Sequence, residues 1–346
     1  MLTKPIRALG LALTLLHCPT LAASADDAVE KFYKGRTINS VVPFGAGGGY
    51  AIYSQIMARH LGQFIPGNPQ IVLQYRPGAG GIVASNYMFN VAPRDGSVMA
   101  MVSDSVALAS VIDADKTKYN VNEFVWLGAI ERVNNVLAVR ADTGVRTVKD
   151  LLNKEVVVGA SGPGSPTSLL PALLRWLEPL KIKTIEGYEG INPMFIAMDR
   201  NEIAGATVSW TIFKTLRKQW FDSGYAVPIV QFGSVKEADL PNVTLAIELA
   251  RTPEQQAVAR FMASNVDVGR SFILPPGVPA DRVAALRTAF DRMVKHPAFI
   301  DEITKAGFQL SPATGVEVQS AVAQATKLDA ALTKTVRDMV AKPKSK

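Results

Sequence analysis

A strand that ends in a run of small residues and feeds directly into a helix occurs three times in this chain, and this device limits the fold more than any other feature. Residues 37–44 (TINSVVPF) run into Gly45-Ala46-Gly47-Gly48-Gly49 and a helix over 50–64. Residues 70–75 run into Pro77-Gly78-Ala79-Gly80-Gly81 and a helix over 82–91, with a further strand over 98–102 after the turn at Pro93-Arg94-Asp95-Gly96. Residues 156–159 run into Ser161-Gly162-Pro163-Gly164-Ser165 and a helix over 166–177. Strands that alternate with helices through short loops predict a parallel sheet covered on both faces.

The pattern is too long for one core. With 346 residues, the chain exceeds the size at which a single core stops growing. Strands are predicted over 135–139, 156–159, 204–208 and 227–232, with helices over 148–152 and 253–263. After Pro275-Pro276-Gly277-Val278-Pro279, amphipathic helices over 281–296 and 315–339 are expected to pack back on the first sheet. That gives a first lobe made of 26–134 and 270–346, with a second lobe, 135–269, inserted into it. Two connections then cross between the lobes, which is a hinge. The net charge of +7 is spread along the chain, and its dense run is confined to Lys342, Lys344 and Lys346. No nucleic-acid surface is expected from such a distribution.

Residues 1–25 have the three parts of a secretory signal peptide: Lys4 and Arg7, the apolar stretch 8–16, and Ala23-Ser24-Ala25 as a cleavage site. The apolar stretch is well short of the roughly 20 residues that span a bilayer. Cys18, the only cysteine, follows Leu16-His17 and lacks the small residue a lipid-attachment site needs before it. Export to the periplasm, with Asp26 as the first mature residue, is the expectation. A mature chain without cysteine has neither disulfides nor thiolate chemistry.

Each glycine loop opens a helix, where free N–H groups and the positive end of the helix dipole favour an anion. The usual enzyme patterns fail at the same loops. The last glycine of G-x-G-x-x-G is replaced by Tyr50, Val83 or Thr167, and there is no G-x-x-x-x-G-K-[ST] motif. Gly159-Ala160-Ser161-Gly162 continues with Pro163 where a hydrolase elbow needs glycine. His60 and His296 read as surface or packing residues, and no zinc or EF-hand spacing occurs. The chain is therefore read as a non-enzyme with no catalytic residue, cofactor or metal.

Several fragments together resemble the substrate-binding proteins of the tripartite tricarboxylate transporter family, also called the Bug or TctC family. They are Val42-Pro43-Phe44-Gly45-Ala46-Gly47-Gly48-Gly49, Arg76-Pro77-Gly78-Ala79-Gly80-Gly81 and Ala92-Pro93-Arg94-Asp95-Gly96. Ala160-Ser161-Gly162-Pro163-Gly164-Ser165-Pro166, Gly187-Tyr188-Glu189-Gly190 and Pro275-Pro276-Gly277-Val278-Pro279 follow in order. The resemblance implies an α/β, two-lobed periplasmic binding protein of the type II, Venus-flytrap kind, each lobe a mostly parallel sheet flanked by helices. It implies a monomer that captures a small organic carboxylate and delivers it to a large and a small integral-membrane transporter subunit. Ligand-binding residues carried over are Gly47, Gly48, Tyr50, Gly80, Gly81, Ser103 and Ser105 on the first lobe, and Ser161, Gly164, Ser165, Tyr188 and Trp210 on the second.

On this reading the grip comes from helix N-termini and small hydroxyls, with few or no cationic side chains. Arg270 is the runner-up as a carboxylate partner, and Arg76 braces its own loop. Two positions depart from the family pattern: Ala51 replaces a common aspartate, which argues against amino acids as ligands, and Gly269 stands where a tryptophan often precedes the return strand. The alternative function is a solute sensor that passes ligand occupancy to a membrane signalling protein, since both roles use the same lobe closure.

Overall fold

The computed structural model describes residues 20–341. Of the predicted export segment, residues 1–19 lie outside the described residues, and a helix Thr20–Tyr33 runs on from there. Among the described residues, twelve strands form two sheets of six. In chain order they are β1 Thr37–Val42, β2 Gln70–Tyr75, β3 Val98–Met101, β4 Val125–Ala129, β5 Asn135–Arg140 and β6 Val156–Gly159. The others are β7 Ile182–Ile185, β8 Gly205–Ser209, β9 Ala226–Gln231, β10 Thr244–Leu245, β11 Ser271–Leu274 and β12 Ala313–Thr314.

The first sheet has the order β12-β4-β11-β3-β1-β2, and the second β10-β9-β5-β8-β6-β7. Within each, the strands of the recurring strand–loop–helix device pair in parallel: β1 with β2 and β3, and β6 with β7 and β8. The strand that arrives from the other sheet runs against its neighbours. β5 is antiparallel to β8 and β9, and β11 is antiparallel to β3 and β4. Both of these crossing strands are buried along their whole length, as expected of central strands covered on two faces.

Helices pack on these sheets by burying one stripe each. In Pro166–Leu177, Leu169, Leu170, Leu173, Leu174 and Leu177 are all buried, and each such leucine contributes about 1.5–3 kcal/mol by leaving water. Pro166 sits in the first turn of that helix, where its missing N–H has no partner to lose. The predicted long helix over 315–339 is two helices, Gly315–Ala325 and Ala330–Val340. Asp329 caps the second, its side chain accepting from the Leu332 N–H at 2.7 Å. This last helix buries Val336 and Met339 in one cluster with Leu108, Leu169 and Leu173, so it covers the second sheet's helices rather than the first sheet. No helix among the described residues is long and apolar enough to cross a membrane.

Candidate functional site

The two sheets meet over a small cavity lined by residues just past the carboxyl ends of their parallel strands. Gly48, Gly49 and Tyr50 follow β1, Asp104 follows β3, Ser161 and Thr167 follow β6, and Ile191 follows β7. Thr207 and Ser209 belong to the end of β8. Because β5 and β11 run the opposite way, it is their first residues that reach the same edge. That places Asn135 and Arg270 in the cavity wall.

The walls are held together across the gap. The Gly45 N–H donates to Glu189 O at 3.0 Å and the Gly80 N–H to Ser161 O at 3.2 Å. Ser105 Oγ donates to Gly164 O at 2.6 Å, and Asn135 Nδ2 to Asp104 Oδ2 at 3.1 Å. A Cβ on Gly80 would lie 2.4 Å from the Ser165 nitrogen, and one on Gly49 2.4 Å from Ile212 Cδ1. The conformation is therefore closed, and the cavity left inside measures about 40 Å³.

Arg270 dominates the interior. It is 4% exposed, its guanidinium carbon stands 4.1 Å from the centre of the Tyr50 ring, and neither Nε nor Nη1 has a hydrogen-bond partner. Burial works to lower its pKa, and Tyr50, Asp104, Glu131 and Tyr53 outweigh it so that the group stays charged. The Tyr50 hydroxyl donates to Asp104 Oδ1 at 3.0 Å and accepts from the Asp104 N–H at 3.1 Å. Burial pushes the Asp104 carboxyl up, and Arg270, Asn135 and Tyr50 pull against it. Behind Arg270 lies Glu131, wholly buried, with both carboxyl oxygens unpartnered and its pKa raised by burial. Thr207 Oγ1 and Ser209 Oγ are also buried without partners. Buried donors left unpaired cost about 1–3 kcal/mol each, and more when charged, so a group of them around one space calls for an occupant that satisfies them.

Of the residues expected from sequence, Gly48, Tyr50 and Ser161 line the cavity. Gly80, Ser105 and Gly164 instead make the contacts between the lobes, and Ser103 holds Ser105 through a 2.9 Å hydroxyl pair. Gly81 packs against the Ser103 side chain, and Gly47, exposed, faces Asn192. Ser165 turns its hydroxyl to Gly162 O at 2.7 Å and to Thr167 Oγ1 at 2.6 Å. Tyr188 lines an outer groove with Phe44, Pro77 and Gly162, at the mouth. Trp210 stands apart from the cavity. Its ring packs on Phe213 and Phe221, and its indole N–H lies 3.0 Å from each oxygen of Asp239.

Two features bear on those expectations. Arg270, the runner-up cation, stands in the cavity wall. Ala51 does not strip the cleft of acid, because Asp104 stands in the wall. Gly269 has a steric cause of its own: its φ is +49°, and a Cβ would fall 1.9 Å from Glu131 O, which leaves no room for a tryptophan. Arg76 stacks over Tyr87 at 3.9 Å, as a brace would.

Residues 53–185 match the family described as the tripartite tricarboxylate transporter family receptor, TctC. Over that stretch, which is less than half of its length, the chain resembles this receptor family. No curated protein matches the chain. Among solved structures, it is similar to the periplasmic binding protein BugD, at 18% identity and a TM-score of 0.70, over 89% of this chain and 98% of that one. MatC from Rhodopseudomonas palustris with bound malate is similar at 17% identity and a TM-score of 0.68, over 88% and 99%. An R. palustris protein with adipate is similar at 19% identity and a TM-score of 0.66, over 88% and 97%. The two-lobed α/β architecture of these solved proteins is thus the fold of this chain.

Asp104, Asn135, Thr207 and Ser209 are among the cavity residues that the sequence motifs do not mark, and Arg270 is marked there only as a runner-up. Arg270 has the clearest signal, a charged residue directly before the apolar run Ser271-Phe272-Ile273-Leu274. Asp104 is a lone acid between two serines at a strand end.

Proposed function

We propose that this TctC-type chain is a solute receptor that closes on a small organic carboxylate and hands it to a membrane transporter with one large and one small subunit, without transforming it. One observation carries this reading: a buried guanidinium, that of Arg270, stands in the wall of the cavity between two lobes. The N-termini of the helices Gly49–His60, Pro166–Leu177 and Ile191–Asp199 converge on the same space and add to the preference for negative charge. In this reading residues 1–25 are a signal peptide that sends the receptor to the periplasm. Residues 26–134 and 270–346 belong to one lobe and 135–269 to the other, with the helix Ala330–Val340 reaching from the first onto the helices of the second, and the protein works as a monomer.

The test is thermal-shift screening of the mature protein, stripped of ligand by unfolding and refolding, against a library of carboxylates. A ligand at 100 times its dissociation constant adds about 2.7 kcal/mol of stability. The expected result is a rise in melting temperature with at least one carboxylate, lost when Arg270 is replaced by methionine. If no carboxylate shifted the transition, the reading would fall.

A further inference from the structure

Resting on the receptor reading above, we propose that this cleft selects short monocarboxylates and rejects dicarboxylates. The cavity wall holds one cation, Arg270, and one acid, Asp104, and both lie against the same residue: the guanidinium over the Tyr50 ring and the carboxylate on its hydroxyl. In a closed space of about 40 Å³, enough for about three waters, the two are never far apart. A single carboxylate in the cavity can meet the guanidinium of Arg270. A second carboxylate on the same small molecule has no second cation to meet, and it is brought up to Asp104.

Asp104 is held as an acceptor on both oxygens, Oδ1 by the Tyr50 hydroxyl and Oδ2 by Asn135 Nδ2, so it turns acceptors and no donor toward a second carboxylate. Like charges brought together inside a site cost several kcal/mol, which is the repulsive half of specificity. The remaining walls suit a short apolar body: Phe44, Ile191, Val208 and Ile212. The unpartnered hydroxyls of Thr207 and Ser209 add room for one further oxygen on the ligand, such as that of a hydroxy or keto acid.

Calorimetric titration of the stripped, mature protein with propionate, lactate and pyruvate, and in parallel with succinate, malate and adipate, tests the proposal. The expected outcome is that at least one of the first group binds and that every member of the second binds about 100-fold more weakly or not at all. Asp104→Asn should narrow the gap for succinate by about 10-fold. The ranking of ligands by the unaltered protein decides the matter even if that variant does not fold. A dicarboxylate that binds as tightly as the best monocarboxylate, with loss on Arg270→Met, overturns the selectivity and leaves the receptor reading intact. Binding by neither group overturns both.

Discussion

The Tyr50 ring carries Arg270 on its face at 4.1 Å and Asp104 on its hydroxyl at 3.0 Å, so one side chain positions both charged groups of the cleft. The hydroxyl both donates to the Asp104 carboxylate and accepts from the Asp104 N–H. Tyr50→Phe keeps the ring under Arg270 and removes only these two bonds. A loss of about 1.5–3 kcal/mol in folding stability is expected, the range for a hydrogen bond to a charged group, measured by urea denaturation.

Glu131 gives a pH dependence with a definite sign. Its folded pKa is raised above 4.5 by burial, with the Arg270 charge opposing. Between 4.5 and the folded value the native state therefore holds a proton that the unfolded chain has released. Its contribution is intact below 4.5 and is lost as pH rises through the folded pKa. Glu131→Gln should match the wild type at pH 4 and exceed it at pH 8 by about 1–3 kcal/mol. Melting curves across that range check it; a variant that is less stable at pH 8 would contradict the assignment.

Gly80 tests lobe closure separately from ligand affinity. Its φ is +66°, and an added Cβ would lie 2.4 Å from the Ser165 backbone nitrogen on the facing lobe. Gly80→Ala should leave each lobe folded and hold them apart. Small-angle scattering is expected to show a larger radius of gyration that does not shrink with ligand, with affinity reduced by about 10-fold or more.

At Gly269 the same chemistry acts on stability. A Cβ there meets Glu131 O at 1.9 Å, and the backbone is one that side chains rarely adopt. Gly269→Ala should destabilise the protein by about 3 kcal/mol or more, read as a drop in denaturant midpoint.

Most of the frame was legible in the sequence, because strand periodicity and glycine loops are local signals. β2 and β6 fall where the pattern places them, at Gln70–Tyr75 and Val156–Gly159, and so does the helix Pro166–Leu177. The site was less legible. Loop motifs mark where the backbone comes close, whereas the side chains that face the cavity depend on the phase of each strand end. Ser103 and Ser105 were expected in the cleft, and it is Asp104 between them that lines it. Arg270 and Asn135 reach the site only because β11 and β5 enter antiparallel, a property of the assembled sheets that no local window contains.

The last helix, Ala330–Val340, adds a third link between the lobes to the two at β5 and β11. Besides its buried Val336 and Met339, it is tied by Arg337 Nε to Val111 O at 2.9 Å and by Thr335 Oγ1 to Glu254 at 2.7 Å. Two strands alone would let the halves both bend and twist about one another. A third tether would suppress the twist and leave bending as the soft coordinate. Any opening would then follow a guided path and bring the three glycine loops back to the same register on closing.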